Sequence, residues 1–310
     1  MIKLLHVNDY VVDTKNFKPL LNDSIVEEFE QNIANFVGAK YAVSLNSATS
    51  AIFLSLLNKS KEVSLPSIIP PVVANAIITS GNRVTFHDDV EWVGGSYILY
   101  EFEDYKIIDS AQKLERNQFK DEADDGDLMI FSHYPTKPVG SSDGGMIVSN
   151  DKEKVDQIRM LSRNGNTLEK NSWERSILQP GYKFYMNSIQ AYIANENFKR
   201  LDSKMEAMEK VRKIYNENFN LNNTSYHLYR INVTDRNKFI SIMEEKGIQV
   251  GIHYRALHLV ECYKKSFWHF NLSLPKSEIE SETTISIPYH ELLTDEEVEY
   301  VIQEVKQYQC

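Results

Sequence analysis

Apolar positions along this chain alternate between two periods, and each change of period marks a boundary between a short strand and an amphipathic helix. Ile25, Phe29, Ile33 and Phe36 recur at helical spacing behind Ser24-Ile-Val-Glu27, which has the form of a capping box, and Gly38 stands where a C-terminal cap belongs. A docking helix is predicted there, followed by a strand over residues 41–45 and an apolar helix running from Asn46-Ser-Ala-Thr-Ser-Ala51 through Leu57. Further strands are predicted at 62–65, 83–86, 97–100, 106–109, 128–131 and 146–148, with one helix after Pro71 and another from Asp151 through Leu161. The polar region 164–174 reads as a loop, and 188–218 reads as one long helix joining two domains. Beyond it the pattern predicts a strand over 226–232, a helix over 234–246 ended by Gly247, and a strand over 249–253. A last helix is capped by Thr294 with Glu297 three residues later, and Val298, Val301, Ile302 and Val305 form its buried face.

Strands alternating with helices, then a shorter mixed region, imply a large α/β domain followed by a small α+β domain. The length of 310 residues accommodates two. The boundary falls in the long helix, giving units 1–200 and 201–310. Hydrophobic residues at 42% and charged residues at 25% describe a globular chain without low-complexity segments or internal repeats. The net charge of −10, with no long basic run, argues against nucleic acid as a partner. Cys262 and Cys310 are far apart and in no ligand spacing, so neither a disulfide framework nor a metal site is expected. The first residues carry too short an apolar run for a secretory leader, and no apolar segment approaches ~18 residues, so the expected place is the cytoplasm rather than a membrane.

Candidate chemistry concentrates in three places. Lys137 lies in a loop between the apolar runs Leu128–Phe131 and Met146–Val148, where an amine can be desolvated and its pKa lowered; the alternative is a solvated loop lysine. Asp109 ends an apolar strand, near the carboxyl edge of a parallel sheet where such sheets bind ligands; it could equally cap the following turn. The small residues after Leu45 lead a strand into a helix, leaving backbone N–H groups of Ala48 and Thr49 free for an anion, unless the run is a plain Ser/Thr cap. The acidic segment 121–125 reads as a solvated loop without chemistry.

Ser132, Lys137 and Gly144-Gly145-Met146 together resemble the pyridoxal-phosphate lysine motif of the DegT/StrS sugar aminotransferases, usually Ser-Phe-x-x-x-Lys followed by a Thr-Thr-Gly-Glu-Gly-Gly-Met-like run. Gly140, Ser141, Ser142 and Asp143 stand where that family more often has Thr, Thr, Gly and Glu, and His133 replaces its Phe. The resemblance implies an aspartate-aminotransferase-like fold with pyridoxal 5'-phosphate as cofactor, and it assigns residues. Lys137 would hold the cofactor covalently and then move the reaction's proton. Asp109 would keep the ring nitrogen protonated, Gln112 would bond the ring hydroxyl, and Ser132, with the backbone of Ala48 and Thr49, would complete the cofactor site. Gly181-Tyr-Lys-Phe-Tyr-Met-Asn-Ser188 is similar to the family's Gly-Tyr-Asn-Tyr-Arg-Met-Thr-Asp run, which implies a homodimer in which Lys183 reaches the neighbour's phosphate; otherwise Lys183 is a solvated loop lysine. Pro70 falls where the family stacks an aromatic ring, and the segment His253 to His258 is similar to a family segment without indicating a role for either histidine. The implied reaction is amination of a nucleotide-linked keto sugar, a 4-keto-6-deoxyhexose giving a 4-amino-4,6-dideoxy sugar, with glutamate as donor. A sugar dehydratase of the same cofactor class is the alternative, although those relatives carry histidine at the place of Lys137. A catalytically silent cofactor-binding regulator is the other.

Overall fold

The computed structural model describes residues 1–13, 15, 24–167, 169, 171–267 and 272–308. Cys310 therefore lies outside the described residues, while Cys262 is exposed. The helices are α1 (Ser24–Val37), α2 (Ala48–Leu56), α3 (Pro71–Thr79), α4 (Gln118–Glu122), α5 (Lys152–Ser162), α6 (Ser188–Phe198), α7 (Leu201–Phe219), α8 (Arg236–Glu245), α9 (Glu261–Phe267), α10 (Pro275–Thr283) and α11 (Asp295–Tyr308). The strands are β1 (Tyr41–Leu45), β2 (Glu62–Pro66), β3 (Arg83–His87), β4 (Tyr97–Glu101), β5 (Lys106–Asp109), β6 (Leu128–Ser132), β7 (Gly145–Ser149), β8 (Tyr229–Asn232) and β9 (Thr284–Ile287).

Alternate residues of a strand face opposite sides, and the central strands bury both. Leu128 and Ile130 of β6 join Ile107 and Ile147 beneath α2, α3 and α5, whereas Met129 and Phe131 join Ile108, Met146 and Val148 beneath α1 and α6. The result is a three-layer α/β/α unit. A separate core, built from Met208, Tyr215, Tyr229, Phe239, Ile285, Tyr289 and the apolar face of α11, forms the smaller unit. Thr294 and Glu297 bond reciprocally at the start of α11, as the capping box requires. Gly38, at φ +82, ends α1 in the left-handed region that glycine adopts at little cost.

The main sheet runs β1-β7-β6-β5-β4, and only its β5–β6 pair is parallel. The expectation of a parallel sheet around Asp109 thus holds for one neighbour of β5 and fails for the other. The pairings nevertheless bring Leu45, Gly145, Ser132, Asp109 and Tyr97 to one edge, because the antiparallel strands enter where the others leave. β2 and β3 form a separate parallel pair, with β2 packed alongside β4.

Three other expectations are corrected. The span 188–218 is two helices, broken at Lys199 and Arg200, because α6 packs on α1 of the large unit while α7 continues toward α11. No Gly or Pro marks the break. Residues 249–253 do not form a strand; only Gly251 bridges Ser286 of β9, which pairs mainly with β8. The acidic segment begins inside α4, and Glu122 accepts a bond from Lys113 rather than lying fully in solvent. In the polar loop after α5, Asn166 bridges Ile177 and Ser172–Glu174 make a 3-10 turn; its residues 168 and 170 lie outside the described residues. At the amino end, Ile2 bridges Ile248 and Tyr289 donates to the Leu4 carbonyl, so the first residues pack on the smaller unit.

Candidate active site

The edge where β1, β5 and β6 end opens into a cavity of about 480 Å³ between the two units, within the ~300–1,000 Å³ usual for small-molecule sites. Ala48, Thr49, Asp109, Gln112, Ser132 and Lys137 all line it. Lys183 does not: it is exposed on the loop before α6, where its backbone bridges Arg163.

β1 delivers the chain into α2 through Asn46 and Ser47. Ser47 caps the helix by accepting from the Ser50 N–H, and among the described residues the N–H groups of Ala48 and Thr49, at the cavity, have no partner. The backbone of β7 lies against this helix start. A Cβ at Gly145 would come within 2.4 Å of Ala48 N and the Ser47 carbonyl, so only glycine lets the strand approach so closely.

Lys137 approaches from the loop between β6 and β7. Burial lowers the pKa of its amine to about 8, against the opposing pull of Asp109. Its residue keeps some solvent contact through the cavity mouth. Nζ lies 3.1 Å from His227 Nε2, which accepts from it. His227 is buried, and desolvation together with the nearby Lys137, His253 and Lys204 holds its pKa well below the usual histidine range. The ring is therefore neutral. The Thr136 backbone is near enough to favour a proton on this ring, yet Nδ1 makes no well-formed hydrogen bond among the described residues. His253 lines the same wall; burial, Lys137 and Arg230 lower its pKa to about 4, and its Nδ1 contacts Ser286 Oγ at 2.9 Å.

Asp109 sits opposite, 3% exposed. Burial raises its pKa, and an N–H from Ala111, an O–H from Tyr97 and the charge of Lys137 oppose that rise. Gln112 is held in one orientation: its Oε1 accepts the Gly94 N–H at 2.9 Å, so its amide NH₂ faces Tyr254, whose hydroxyl lies 3.1 Å away. Pro70 and Trp92 both line the cavity. His133 is fully buried, with Nδ1 2.8 Å from the Val139 carbonyl and its ring edge-on to Phe29 at 4.8 Å; it fills an aromatic position in the core.

These features fit pyridoxal phosphate. The free N–H pair at a helix start suits its phosphate, the buried carboxylate suits its ring nitrogen, and the desolvated amine suits its aldehyde. Trp92, Tyr97, His227, His253 and Tyr254 had no assigned role in the sequence reading. His253 and Tyr254 stood in a segment with a family resemblance; Trp92, Tyr97 and His227 showed nothing that separates a site residue from a core residue.

Comparison with known proteins identifies the family. The sequence profile of the DegT/DnrJ/EryC1/StrS aminotransferase family matches residues 6–91 and 107–306. The UDP-4-amino-4,6-dideoxy-N-acetyl-β-L-altrosamine transaminase of Campylobacter jejuni subsp. jejuni is 26% identical over 362 residues, covering 97% of this chain and 96% of the relative. The spore coat polysaccharide biosynthesis protein SpsC of Bacillus subtilis is 26% identical over 344 residues, covering 91% and 88%. Among solved structures, Helicobacter pylori PseC, an aminotransferase involved in the biosynthesis of pseudoaminic acid, superposes with a TM-score of 0.80 at 20% identity, covering 98% of this chain and 99% of that one.

Proposed function

The chain belongs to the DegT/DnrJ/EryC1/StrS aminotransferase family and is a pyridoxal-phosphate-dependent enzyme, and from that premise we propose that it aminates a nucleotide-linked keto sugar with glutamate as the donor. The observation that carries the reading is the pairing, across one cavity, of a buried amine lowered to about 8 with a buried carboxylate held by two donors. The acceptor we assign is a 4-keto-6-deoxyhexose, giving a 4-amino-4,6-dideoxy sugar. The name of the C. jejuni relative, which refers to a 4-amino-4,6-dideoxy sugar, supports that choice.

Bound in this cavity, pyridoxal phosphate supplies an electrophilic carbon and a protonated ring that draws electron density away from the carbon being deprotonated. Ala48 and Thr49 would hold the phosphate by their N–H groups, and Ser132 would close that end. Asp109 would keep a proton on the ring nitrogen, and Gln112, whose NH₂ faces the Tyr254 hydroxyl, would bond the ring oxygen. Lys137 does the proton work. At a pKa of about 8, roughly a tenth of its amine is neutral at pH 7, against roughly three in ten thousand for an ordinary lysine. It can therefore attack as a base or nucleophile and later return the proton from Nζ. His227 accepts from Nζ and aims the amine's remaining positions into the cavity.

The active unit in this reading is a cytoplasmic homodimer. Trp173, Ile177 and Leu178 are 81%, 76% and 63% exposed on the loop that also carries Lys183, an apolar surface suited to a second copy. Lys183 then reaches the partner's phosphate. No helix among the described residues is long and apolar enough to cross a membrane.

Incubating the holoenzyme with glutamate and dTDP-, UDP- or GDP-linked keto sugars, with mass spectrometry of the products, tests the reading. An amino sugar and 2-oxoglutarate in equal amounts from one nucleotide series is expected. Release of 2-oxoglutarate with no sugar product from any series would refute the acceptor, and no 2-oxoglutarate at all would refute the donor.

A further inference from the structure

The family profile leaves residues 92–106 unmatched, and these contain β4, the strand at the edge of the sheet beside the cavity. The chain runs through β4 and returns antiparallel along β5, with Tyr97 directly opposite Asp109. Opposed residues of an antiparallel pair share a face, with Cβ atoms ~4.5–5.5 Å apart. This register aims the first side chain of β4 at the carboxylate that ends β5. The Tyr97 hydroxyl donates to Asp109 Oδ2 at 2.8 Å, and the Ala111 N–H donates to Oδ1 at 2.9 Å. The same short segment donates the Gly94 N–H to Gln112. Trp92 packs edge-to-face on Tyr97 at 4.8 Å and anchors its own Nε1–H on the Ile68 carbonyl at 3.0 Å. Both residues assigned to the cofactor ring are thus held by a segment outside the family match.

We propose that Tyr97 is a positioning residue for Asp109: its hydroxyl fixes the plane of the carboxylate and keeps it ionised in a dry setting, so that the cofactor's ring nitrogen meets an anion in one orientation. The proposal rests on the reading of Asp109 as the ring-nitrogen partner. The groups that face Asp109 are Tyr97 from β4, Lys137 from the β6–β7 loop and Tyr254 from the smaller unit. Burial favours the neutral acid, and the Lys137 cation opposes it. That cation is lost whenever the amine is neutral or covalently engaged. The hydroxyl of Tyr97 and the N–H of Ala111 then remain to favour the carboxylate. Desolvation of the Tyr97 hydroxyl beside this charge pushes its pKa well up and keeps it a donor. A phenylalanine would keep the contact with Trp92 and remove only the hydrogen bond.

The test compares Tyr97→Phe, Asp109→Asn and the double variant. In cofactor-free Tyr97→Phe, the Asp109 carboxyl, followed by ¹³C NMR, should titrate about one unit higher, as loss of one hydrogen bond to a charged group predicts. In the holoenzyme, kcat should fall about tenfold with little change in KM, and the acid limb of the kcat profile should move to higher pH. Added to Asp109→Asn, Tyr97→Phe should cost nothing further. An unmoved carboxyl titration, an unmoved pH profile or multiplying losses in the double variant would overturn the proposal while leaving the ring-partner reading intact. Undiminished turnover in Asp109→Asn alone would overturn that reading and the proposal together.

Discussion

The cavity has two unlike sides. Its floor is the edge of the central sheet, where α2 begins, where Asp109 and Ser132 end β5 and β6, and where Lys137 follows β6. Its wall is His227, His253 and Tyr254, carried on loop segments of the smaller unit. The floor presents what a charged cofactor needs: free N–H groups, a carboxylate and an amine. The wall presents neutral rings, kept so by burial, with His253 lowered to about 4 and His227 held well below the usual histidine range. A neutral wall beside a desolvated lysine leaves the amine free to lose its proton, whereas a charged imidazole there would repel the ammonium and a carboxylate would trap it. Binding energy and chemistry are therefore expected to reside in the floor, and proton control in the wall.

Removing the floor's amine should have the largest effect. Lys137→Ala is expected to abolish the visible absorption band that borohydride bleaches and to lower turnover by roughly 10²–10⁴-fold through lost proton transfer alone. A variant that kept a reducible band would move the attachment point elsewhere. Next comes the carboxylate. Asp109→Asn should retain cofactor by dialysis yet lose about 10²–10³ in kcat, the scale of a removed electrostatic stabiliser; near-normal turnover would mean that another group supports the ring.

Lys183→Ala extends the comparison to a second subunit. Loss of one charge-assisted hydrogen bond, ~1.5–3 kcal/mol, should weaken cofactor affinity by roughly 10- to 150-fold and leave the melting temperature of the cofactor-free protein unchanged. Mixed with Lys137→Ala protein at limiting cofactor, it should recover activity as subunits exchange, since one site then holds both residues. No recovery despite demonstrated exchange would remove Lys183 from the partner's site. The smallest effect belongs to the wall. His227→Asn should keep cofactor and lose about tenfold in rate, the value of one hydrogen bond to a charged group. A larger loss than that of Asp109→Asn would break the division drawn above. In the unaltered protein, capture of pyridoxal phosphate should accelerate with pH, reach half its limit near pH 8 and level off about a unit above, because the neutral amine is the reactive form and its pKa is lowered to about 8. A rate that keeps climbing toward pH 10 would describe a solvated lysine.

The sequence by itself determined the floor, because each of its parts is local. An apolar run followed by small or polar residues ends a strand, and the chemistry lies within a few residues of that end: Ala48 and Thr49 after Leu45, Asp109 at the end of β5, Lys137 after Ser132. Most central strands, the cap of α11 and the glycine after α1 were legible for the same reason. What the tertiary structure alone decided is which distant segments meet there. β4 pairs antiparallel with β5 instead of joining a parallel sheet, and only that register sets Tyr97 against Asp109. Period-2 alternation is the same for either strand direction, so no local pattern could reveal it. The break between α6 and α7 is equally silent, since a helix that leaves one core for another needs no glycine or proline to do so. His227 stands 90 residues from the lysine it contacts. A lone histidine looks the same in sequence whether packing buries it in a core or sets it beside a reactive amine, and only the docking of the smaller unit makes the difference.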